Sequence, residues 1–227
     1  MTQPRPLVFE DREKLVAALS KHKADWWNLY EPICASIQRK FGELNVEAIV
    51  EASVASNTFR AFHNCSSKPS QVFREWGNEH FKDTLDKYRG AKSQREFDKW
   101  LGDIVQSLQE TWPHEAGRKL GFGASLKLVN LVAKHLCICK EINSEDGKRV
   151  AWYLHVPLDR YTIVALRNCS SDVPPATWKI PSEATMSFIQ KPELYWAFQY
   201  RIRELAFAAH VPPIVFDFVC WNGAHPN

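Results

Sequence analysis

Apolar side chains recur at intervals of three and four residues along most of this chain, a spacing typical of amphipathic helices. The sequence contains no convincing pair of strands, no internal repeat and no low-complexity segment. We therefore predict an all-α protein. The predicted helices cover residues 11–22, 25–40, 43–62, 70–88 and 94–110, then Pro113 to about 119, 125–139, 160–168 and 192–209. Polar or proline-rich composition predicts loops at 63–69 and 143–149, an irregular segment at 170–191 and a short tail after 209.

The composition excludes two broad classes of protein. Of the 227 residues, 45% are hydrophobic and 12% aromatic, which is too much apolar surface for a chain that stays disordered in water. The longest apolar run, 128–133, is interrupted by Asn130 and is far shorter than the roughly 20 residues of a membrane span. The first residues lack the apolar core of a secretory signal. We expect a cytoplasmic protein, associated with the nucleoid if it is bacterial, that does not bind a membrane.

The six cysteines form no CxxC pair and no spacing typical of a zinc site or an iron–sulfur cluster. Cys137 and Cys139 are two residues apart on a predicted helix, so their side chains point in different directions. We therefore expect free thiols in a reducing compartment, no metal site and no cofactor.

The segment 114–167 carries the features that indicate a function. It consists of a short helix, a predicted tight turn at Gly121-Phe122-Gly123, an apolar helix, a connector, and Val-Pro-Leu-Asp at the start of a further helix. A glycine turn between two helices exposes backbone N–H groups that suit a DNA phosphate. Residues 111–168 include nine basic and five acidic residues, a net +4, against +3 for the whole chain. The positive charge is therefore concentrated around the turn, as contact with phosphates requires.

The same segment brings a lysine and an aspartate together. A helix over 125–139 is about 22 Å long at 1.5 Å per residue, and the connector 140–155 is long enough to double back over that distance. Asp159 at the start of the next helix can then lie beside Lys127 in the first turn of the preceding one. Lys127 shares a helix face with Asn130 and Lys134, and a cation in the first turn opposes the helix dipole, a conflict that can mark a functional residue.

The residues GFGASLKLVNLVAKHL, followed by HVPLDRYTIVAL, resemble the signature of the helix–hairpin–helix DNA glycosylase superfamily. The resemblance is nearest to the 8-oxoguanine glycosylase/lyase branch, including its archaeal form. It implies a single all-α unit over 1–227 with two lobes, a cleft between them and a helix–hairpin–helix motif. It also implies a monomer that binds double-stranded DNA containing a modified base and flips that base out of the duplex. Lys127 would then be the nucleophile, and Asp159 would stabilise the charge that develops on the sugar.

The register of the catalytic lysine leaves an alternative open. Direct alignment of the two glycines puts Ser125, rather than Lys127, at the position of the family's lysine. The two side chains are about 200° apart around a helix, so only one of them can face a common site. We favour Lys127, which predicts a bifunctional glycosylase and lyase. Ser125 would instead predict a monofunctional enzyme in which water attacks.

The remaining candidates concern DNA and the extruded base. The resemblance suggests that Asn57 fills the gap left by that base. Five aromatic residues could stack on the base: Trp26, Trp27, Trp152, Phe198 and Trp221. The residues predicted to contact DNA are Gly121, Phe122, Gly123, Ser125, Asn130, Lys134 and Asn57.

Two candidates stay open for the excised base. Oxidised guanine would indicate an enzyme of DNA repair, and a bulky phage-type hypermodified cytosine would indicate one of antiviral defence. Two alternatives to an enzyme also stay open. One is a non-catalytic helix–hairpin–helix DNA-binding module, and the other is a helical protein-interaction scaffold whose binding face is the aromatic-rich segment 192–221.

Overall fold

The computed structural model describes residues 5–54, 56–59, 67–112, 120–169 and 180–225, and these residues form helices and turns without a strand. The all-α prediction is confirmed. The α-helices in these ranges are α1 (Arg12–Ser20), α2 (Glu31–Phe41), α3 (Val46–Ser53), α4 (Pro69–Gly90), α5 (Gln94–Thr111), α6 (Phe122–Ile138), α7 (Lys140–Val150), α8 (Arg160–Ala165), α9 (Pro192–Ala208) and α10 (Ile214–Ala224). Short 3₁₀ helices lie at Trp26–Tyr30, Ser56–Phe59 and Met186–Phe188. Over the same ranges, no helix combines the length and apolar composition that crossing a bilayer requires.

The chain forms two compact units, each built from segments that are distant in sequence. The first unit comprises Met1–Leu29, Phe122–Lys127 and Leu154–Asn227, and the second comprises Tyr30–Gly121 and Leu128–Tyr153. Helix α6 contributes its residues up to Lys127 to the first unit and its remainder to the second. The chain therefore leaves the first unit after Lys127 and returns to it at Leu154.

The second unit is organised around α4, which packs against α3, α5 and α7. Its core is rich in aromatic side chains: the rings of Tyr88 and Trp100 are 4.9 Å apart and those of Phe73 and Trp76 are 5.6 Å apart. The buried Tyr88 hydroxyl donates a hydrogen bond to the carbonyl of Ala133 on α6, at 2.8 Å. Because a buried hydroxyl must find a partner, this contact fixes α4 against α6 inside the unit.

The first unit is organised around α9 and α10, which pack against each other and against α1, while α10 also packs against α8. Each helix directs an apolar face into the common core, which buries Leu15 and Leu19 of α1, Phe198 and Ile202 of α9 and Phe216 of α10. Full burial of side chains of this size contributes about 1.5–3 kcal/mol each, before the cost of ordering the chain. This core fixes the position of α8, at whose start Asp159 lies.

The sequence periodicity locates four helices well. Helices α1, α4, α5 and α9 begin and end within about two residues of the predicted bounds. Asp11 and Ser93 are the N-caps of α1 and α5, and their side chains accept hydrogen bonds from the backbone N–H groups of Lys14 and Glu96. A side-chain acceptor at this position replaces the partner that the first N–H groups of a helix lack.

Two segments predicted to be irregular are helical. Residues 143–149, predicted as a loop, lie inside α7. Ion pairs one turn apart stabilise this polar helix, since Lys148 pairs with Glu145 at 3.5 Å and Arg149 pairs with Asp146 at 2.9 Å. The Arg149 guanidinium also donates to the carbonyl of Ala91, so tertiary contacts add to local ones.

The tail after residue 209 contains a further helix, α10, which the sequence prediction missed. Helix α10 is apolar on most sides and buries Ile214, Val215, Phe216 and Cys220. A helix that is apolar all round gives no amphipathic signal, so its periodicity does not stand out from the sequence.

Two predicted helices are divided by local signals. The helix predicted over 25–40 is a 3₁₀ helix followed by α2, because Pro32 lies in the first turn of α2 and its missing N–H is tolerated only there. The helix predicted over 43–62 is α3, which ends where Val54 becomes extended, followed by the 3₁₀ helix Ser56–Phe59. The helix predicted to start at Pro113 lies outside the described residues. The five described cysteines carry free thiols, as predicted.

Histidine 135 is buried in the second unit, beside Ser53. The Ser53 hydroxyl and the Nδ1 atom of His135 share a hydrogen bond of 2.8 Å. Burial, together with the positive charge of Lys134, lowers the pKa of His135 from its ordinary 6.5 to about 3. The imidazole is therefore neutral in the folded protein at neutral pH.

The lowered pKa of His135 predicts a loss of stability in acid. Between pH 6.5 and about 3 the unfolded chain binds a proton that the folded protein excludes, so stability falls as the pH is lowered. Within this window, protonation of His135 in the unfolded chain lowers the unfolding free energy by up to about 1.4 kcal/mol for each pH unit. We expect the difference in unfolding free energy between the wild type and His135→Gln, measured in urea, to shrink as pH falls through this window. A difference that stays constant with pH would contradict the assignment.

Candidate active site

Asp159 is the N-cap of α8, and its carboxylate is bound tightly to the start of that helix. The Oδ1 atom accepts hydrogen bonds from the backbone N–H groups of Tyr161 and Thr162, at 2.8 and 3.1 Å. In return, the Thr162 hydroxyl accepts a hydrogen bond from the Asp159 backbone N–H at 2.8 Å. This reciprocal arrangement is a capping box, and Asp159 is only 8% exposed within it. The Asp-x-x-Thr spacing could have predicted this feature from the sequence.

The second carboxylate oxygen of Asp159 is also occupied. The indole Nε1 of Trp221, on α10, donates a hydrogen bond to Oδ2 at 3.0 Å. Three N–H donors thus surround the carboxylate, two from the backbone of α8 and one from a side chain of α10. Since α8 and α10 pack directly against each other, the contact follows from the core of the first unit. No feature of the sequence predicts this pair.

An aromatic cluster surrounds Trp221. Its ring stacks on His225 with ring centroids 4.5 Å apart and an interplanar angle of 12°. Tyr161 contacts both rings, with centroids 4.9 Å from Trp221 and 5.0 Å from His225. Tyr161 and His225 were not predicted as site residues, and their types alone carry no signal that would have indicated them. The indole of Trp221 remains partly exposed beside the carboxylate, at 40%.

The start of α6 differs from the predicted turn. Gly121 is the N-cap of α6 in an extended conformation, with φ −66° and ψ 150°, and Phe122 and Gly123 already belong to the helix. The prediction of a tight turn at 121–123 is wrong, because Phe122 and Gly123 form the first turn of α6 instead of a turn before it. Residues 113–119, which include the first helix of the predicted hairpin, lie outside the described residues. The helix–hairpin–helix and the cleft implied by the resemblance stay predictions.

Gly123 is required by packing. A Cβ atom at this position would lie 2.7 Å from the carbonyl oxygen of Ile189 and 3.1 Å from that of Met186. Both neighbours are backbone atoms, which cannot rotate away as a flexible side chain could. At Gly121, by contrast, a Cβ atom would meet nothing within 4 Å. The two glycines therefore have different roles, although the sequence pattern treats them alike.

This difference predicts that replacement by alanine destabilises the protein much more at Gly123 than at Gly121. Gly123→Ala forces the segment containing Met186 and Ile189 away from α6 and should lower the free energy of unfolding by about 1–3 kcal/mol. Gly121→Ala fits the existing space and backbone conformation, so its cost should be limited to the weaker N-cap preference of alanine, about 0.5 kcal/mol. Urea unfolding of both variants checks the prediction. Equal losses for the two would contradict the close approach at Gly123.

The structure separates the two candidates for the nucleophile. Ser125 is fully buried, and its hydroxyl donates to the carbonyl of Phe122 at 2.8 Å. Lys127 is half-buried and belongs to the same unit as Asp159. Among the described residues, no ion pair joins Lys127 to Asp159 or to any other acidic group. The exposure of the two side chains favours Lys127 for contact with a substrate.

The prediction that Lys127 lies in the first turn of its helix is wrong. Because α6 begins at Phe122, Lys127 lies in the second turn and not in the first. The field of the helix dipole is strongest in the first turn, so a conflict with it no longer marks this lysine. Asn130 is fully buried and Lys134 half-buried, both in the second unit. The stripe formed by Lys127, Asn130 and Lys134 is therefore partly internal.

The other predicted site residues are dispersed. Asn57 lies in the 3₁₀ helix Ser56–Phe59, and its side chain is outside the described part of the chain. Phe198 is buried in the core of the first unit, where its ring contacts Phe188, and Trp152 is half-buried in the second unit. Trp26 and Trp27 contact each other edge to face, with ring centroids 5.1 Å apart. Of the five predicted aromatics, Trp221 is the one that the described contacts bring to Asp159.

No family model, curated protein or solved structure matches the chain. The first unit holds a half-buried lysine, a carboxylate bound by three N–H donors, and a partly exposed aromatic cluster beside that carboxylate.

Proposed function

We propose that this protein is a DNA glycosylase with β-lyase activity that flips a modified base out of duplex DNA and excises it. The observation that carries the proposal is the presence of Lys127 and Asp159 in one compact unit, although most of the chain between them belongs to the other unit. These are the two residue types that the glycosylase resemblance assigns to catalysis. The protein acts as a monomer on cytoplasmic or nucleoid DNA, and its target is oxidised guanine or a bulky hypermodified cytosine.

In this mechanism the amine of Lys127 attacks the sugar at C1′. A bond forms between Nζ and C1′, the N-glycosidic bond breaks, and the base leaves with the electron pair of that bond and takes up a proton. The attached nitrogen loses one proton, and its lone pair then breaks the C1′–O4′ bond. The released O4′ takes up a proton, which opens the sugar and leaves a protonated Schiff base between Nζ and C1′. Removal of a proton from C2′ then expels the 3′ phosphate by β-elimination, which nicks the strand.

Asp159 contributes charge in this mechanism. Breaking the N-glycosidic bond develops positive charge on the sugar, and a fixed carboxylate stabilises that charge most when it does not have to reorient during the reaction. The capping box and the Trp221 hydrogen bond supply this fixed orientation. Capping and catalysis are thus compatible roles for one side chain.

The chief rival is a DNA-binding module without catalysis, and two measurements separate it from the glycosylase. Both proteins bind duplex DNA with an affinity that falls steeply with salt, because phosphate contacts release counterions. The glycosylase alone nicks a duplex that contains one 8-oxoguanine or one hypermodified cytosine. Binding without nicking or base release on either duplex would refute the proposed activity and favour the rival.

Gly121 provides a specific test of docking on DNA. Because a Cβ atom at this position meets nothing within 4 Å, we expect Gly121→Val to fold while its side chain obstructs the approach of a phosphate to the start of α6. We expect about tenfold weaker binding to every duplex, since phosphate contacts carry no base identity. Fluorescence anisotropy with modified and unmodified duplexes measures this effect. Unchanged affinity in the folded variant would contradict docking at this helix start.

A second candidate function is a protein-interaction scaffold, and exposed aromatic residues on α9 favour it. Trp196, Tyr200 and Phe207 are spaced by four and seven residues, about one and two helical turns, so they share one face of α9, and all three are exposed. Aromatic side chains are enriched where proteins meet. This candidate predicts neither base release nor a steep dependence of DNA affinity on salt.

A further inference from the structure

We propose that Trp221 is a positioning residue that orients the Asp159 carboxylate for base excision, an inference that rests on the proposed function. Trp221 itself need not touch the reacting atoms. Its effect on catalysis acts through the hydrogen bond from its indole N–H to Oδ2 of Asp159.

The geometry of the carboxylate gives Trp221 this role. Both backbone donors, from Tyr161 and Thr162, bind the same oxygen, Oδ1. They fix the position of Oδ1 and leave Oδ2 without a donor from α8. The Trp221 Nε1 supplies that donor at 3.0 Å, so the plane of the carboxylate is defined only when α10 contributes to it. A catalytic group displaced by about 1 Å can lose about a hundredfold in rate.

Trp221 is itself fixed by its neighbours. His225 stacks on its ring, and the Nδ1 of His225 hydrogen-bonds the backbone carbonyl of Trp221 at 2.9 Å. Tyr161, in the first turn of α8, contacts the indole from another direction. Phenylalanine at position 221 would keep an aromatic ring among these contacts and would lack the N–H donor. Trp221→Phe therefore removes the donor with little change to the cluster.

Positioning differs from the stacking role that the sequence predicts for Trp221. Stacking on an extruded base needs an aromatic ring, whereas positioning needs the N–H. A stacking residue changed to phenylalanine should keep most of its activity, and a positioning residue should not. The sequence-based role and the structural one thus lead to different results for a single variant.

The kinetic experiment measures base release in single turnovers, with enzyme in excess over modified duplex, alongside the Kd for the same duplex. We expect Trp221→Phe to slow release by about tenfold to a hundredfold and to leave the Kd within about twofold. In an Asp159→Asn background the same change should have no further effect on the rate. Trp196→Phe is the matched control, since Trp196 is 42% exposed, against 40% for Trp221, and lies in the same unit. That control should behave as the wild type.

A second measurement makes the pairing testable without activity. Trp221→Phe, Asp159→Asn and the double variant are unfolded in urea, and the loss of the double variant is compared with the sum of the single losses. Because both changes disrupt one hydrogen bond, the double loss should be smaller than that sum. Additive losses would show that the pair is not coupled and would overturn the inference.

The outcomes distinguish the inference from the proposed function. Positioning is supported if Trp221→Phe releases base more slowly with an unchanged Kd, and if the double variant loses less unfolding free energy than the sum of the single losses. A Trp221→Phe that releases base at the wild-type rate overturns it, even if the pair is coupled. A wild-type protein that releases no base overturns the proposed function, and a coupled pair would then be a capping contact alone.

Discussion

Lys127→Ala is expected to abolish the covalent complex that borohydride traps between this protein and modified DNA. Borohydride reduces the Schiff base, so trapping requires the amine of the attacking residue. Removal of a nucleophile typically reduces the rate of chemistry by several orders of magnitude, and we expect strand nicking to fall by at least about 10³. Trapped complexes are measured as a band of reduced mobility with labelled duplex.

Two variants on the same helix control this experiment. Lys134→Ala removes a cation one heptad later on α6 and should keep trapping at the wild-type level once enough protein is added to saturate the DNA. Ser125→Ala removes the buried hydroxyl that bonds to Phe122 and should also keep trapping. If Ser125→Ala were inactive and Lys127→Ala retained base release, the register would be wrong and water would be the attacking group.

Asp159→Asn is expected to give a folded protein that binds DNA and barely releases base. The amide oxygen of asparagine can accept both backbone hydrogen bonds at the start of α8, because asparagine is also a good N-cap. It cannot offset positive charge on the sugar. Loss of one such electrostatic interaction costs about 3–4 kcal/mol, or about 10²–10³ in rate. The rate of base release in single turnovers measures this effect. A near-normal rate would contradict the catalytic role of Asp159 and leave helix capping as its only role.

The structure adds a stability cost to this variant. When the amide oxygen faces α8, the amide NH₂ faces the indole N–H of Trp221, and two donors cannot pair. We expect a loss of about 1–2 kcal/mol in unfolding free energy. Asp11→Asn is the matched control, since Asp11 also caps a helix of the first unit through its carboxylate. That control should lose less stability and no activity.

Local signals in the sequence predict much of this fold, and their failures have physical causes. Amphipathic helices such as α5 are located well because their apolar face repeats with the helical period. Helix α10 was missed because it is buried on most sides, and α7 because its stability depends on charge pairs and on Arg149 binding the carbonyl of Ala91. Pro32 shows that one residue can divide a continuous apolar pattern.

The candidate site was predictable in part. The Val-Pro-Leu-Asp motif locates Asp159 at a helix start, and the structure places it there. The Trp221 contact joins residues that are far apart in sequence and depends on how α10 packs against α8, which periodicity does not encode. The two glycines near the start of α6 look equivalent in sequence, and only the approach of Met186 and Ile189 distinguishes them. The role of Lys127 stays a prediction.

The central claim is that this protein excises a modified base, and mass detection of released bases tests it most directly. The protein is incubated with oxidised DNA and with hypermodified phage DNA, and the free bases are identified by mass. We predict that the wild type releases a modified base from one of these DNAs and that Asp159→Asn releases almost none. If folded wild-type protein that binds both DNAs releases no base from either, the claim is contradicted.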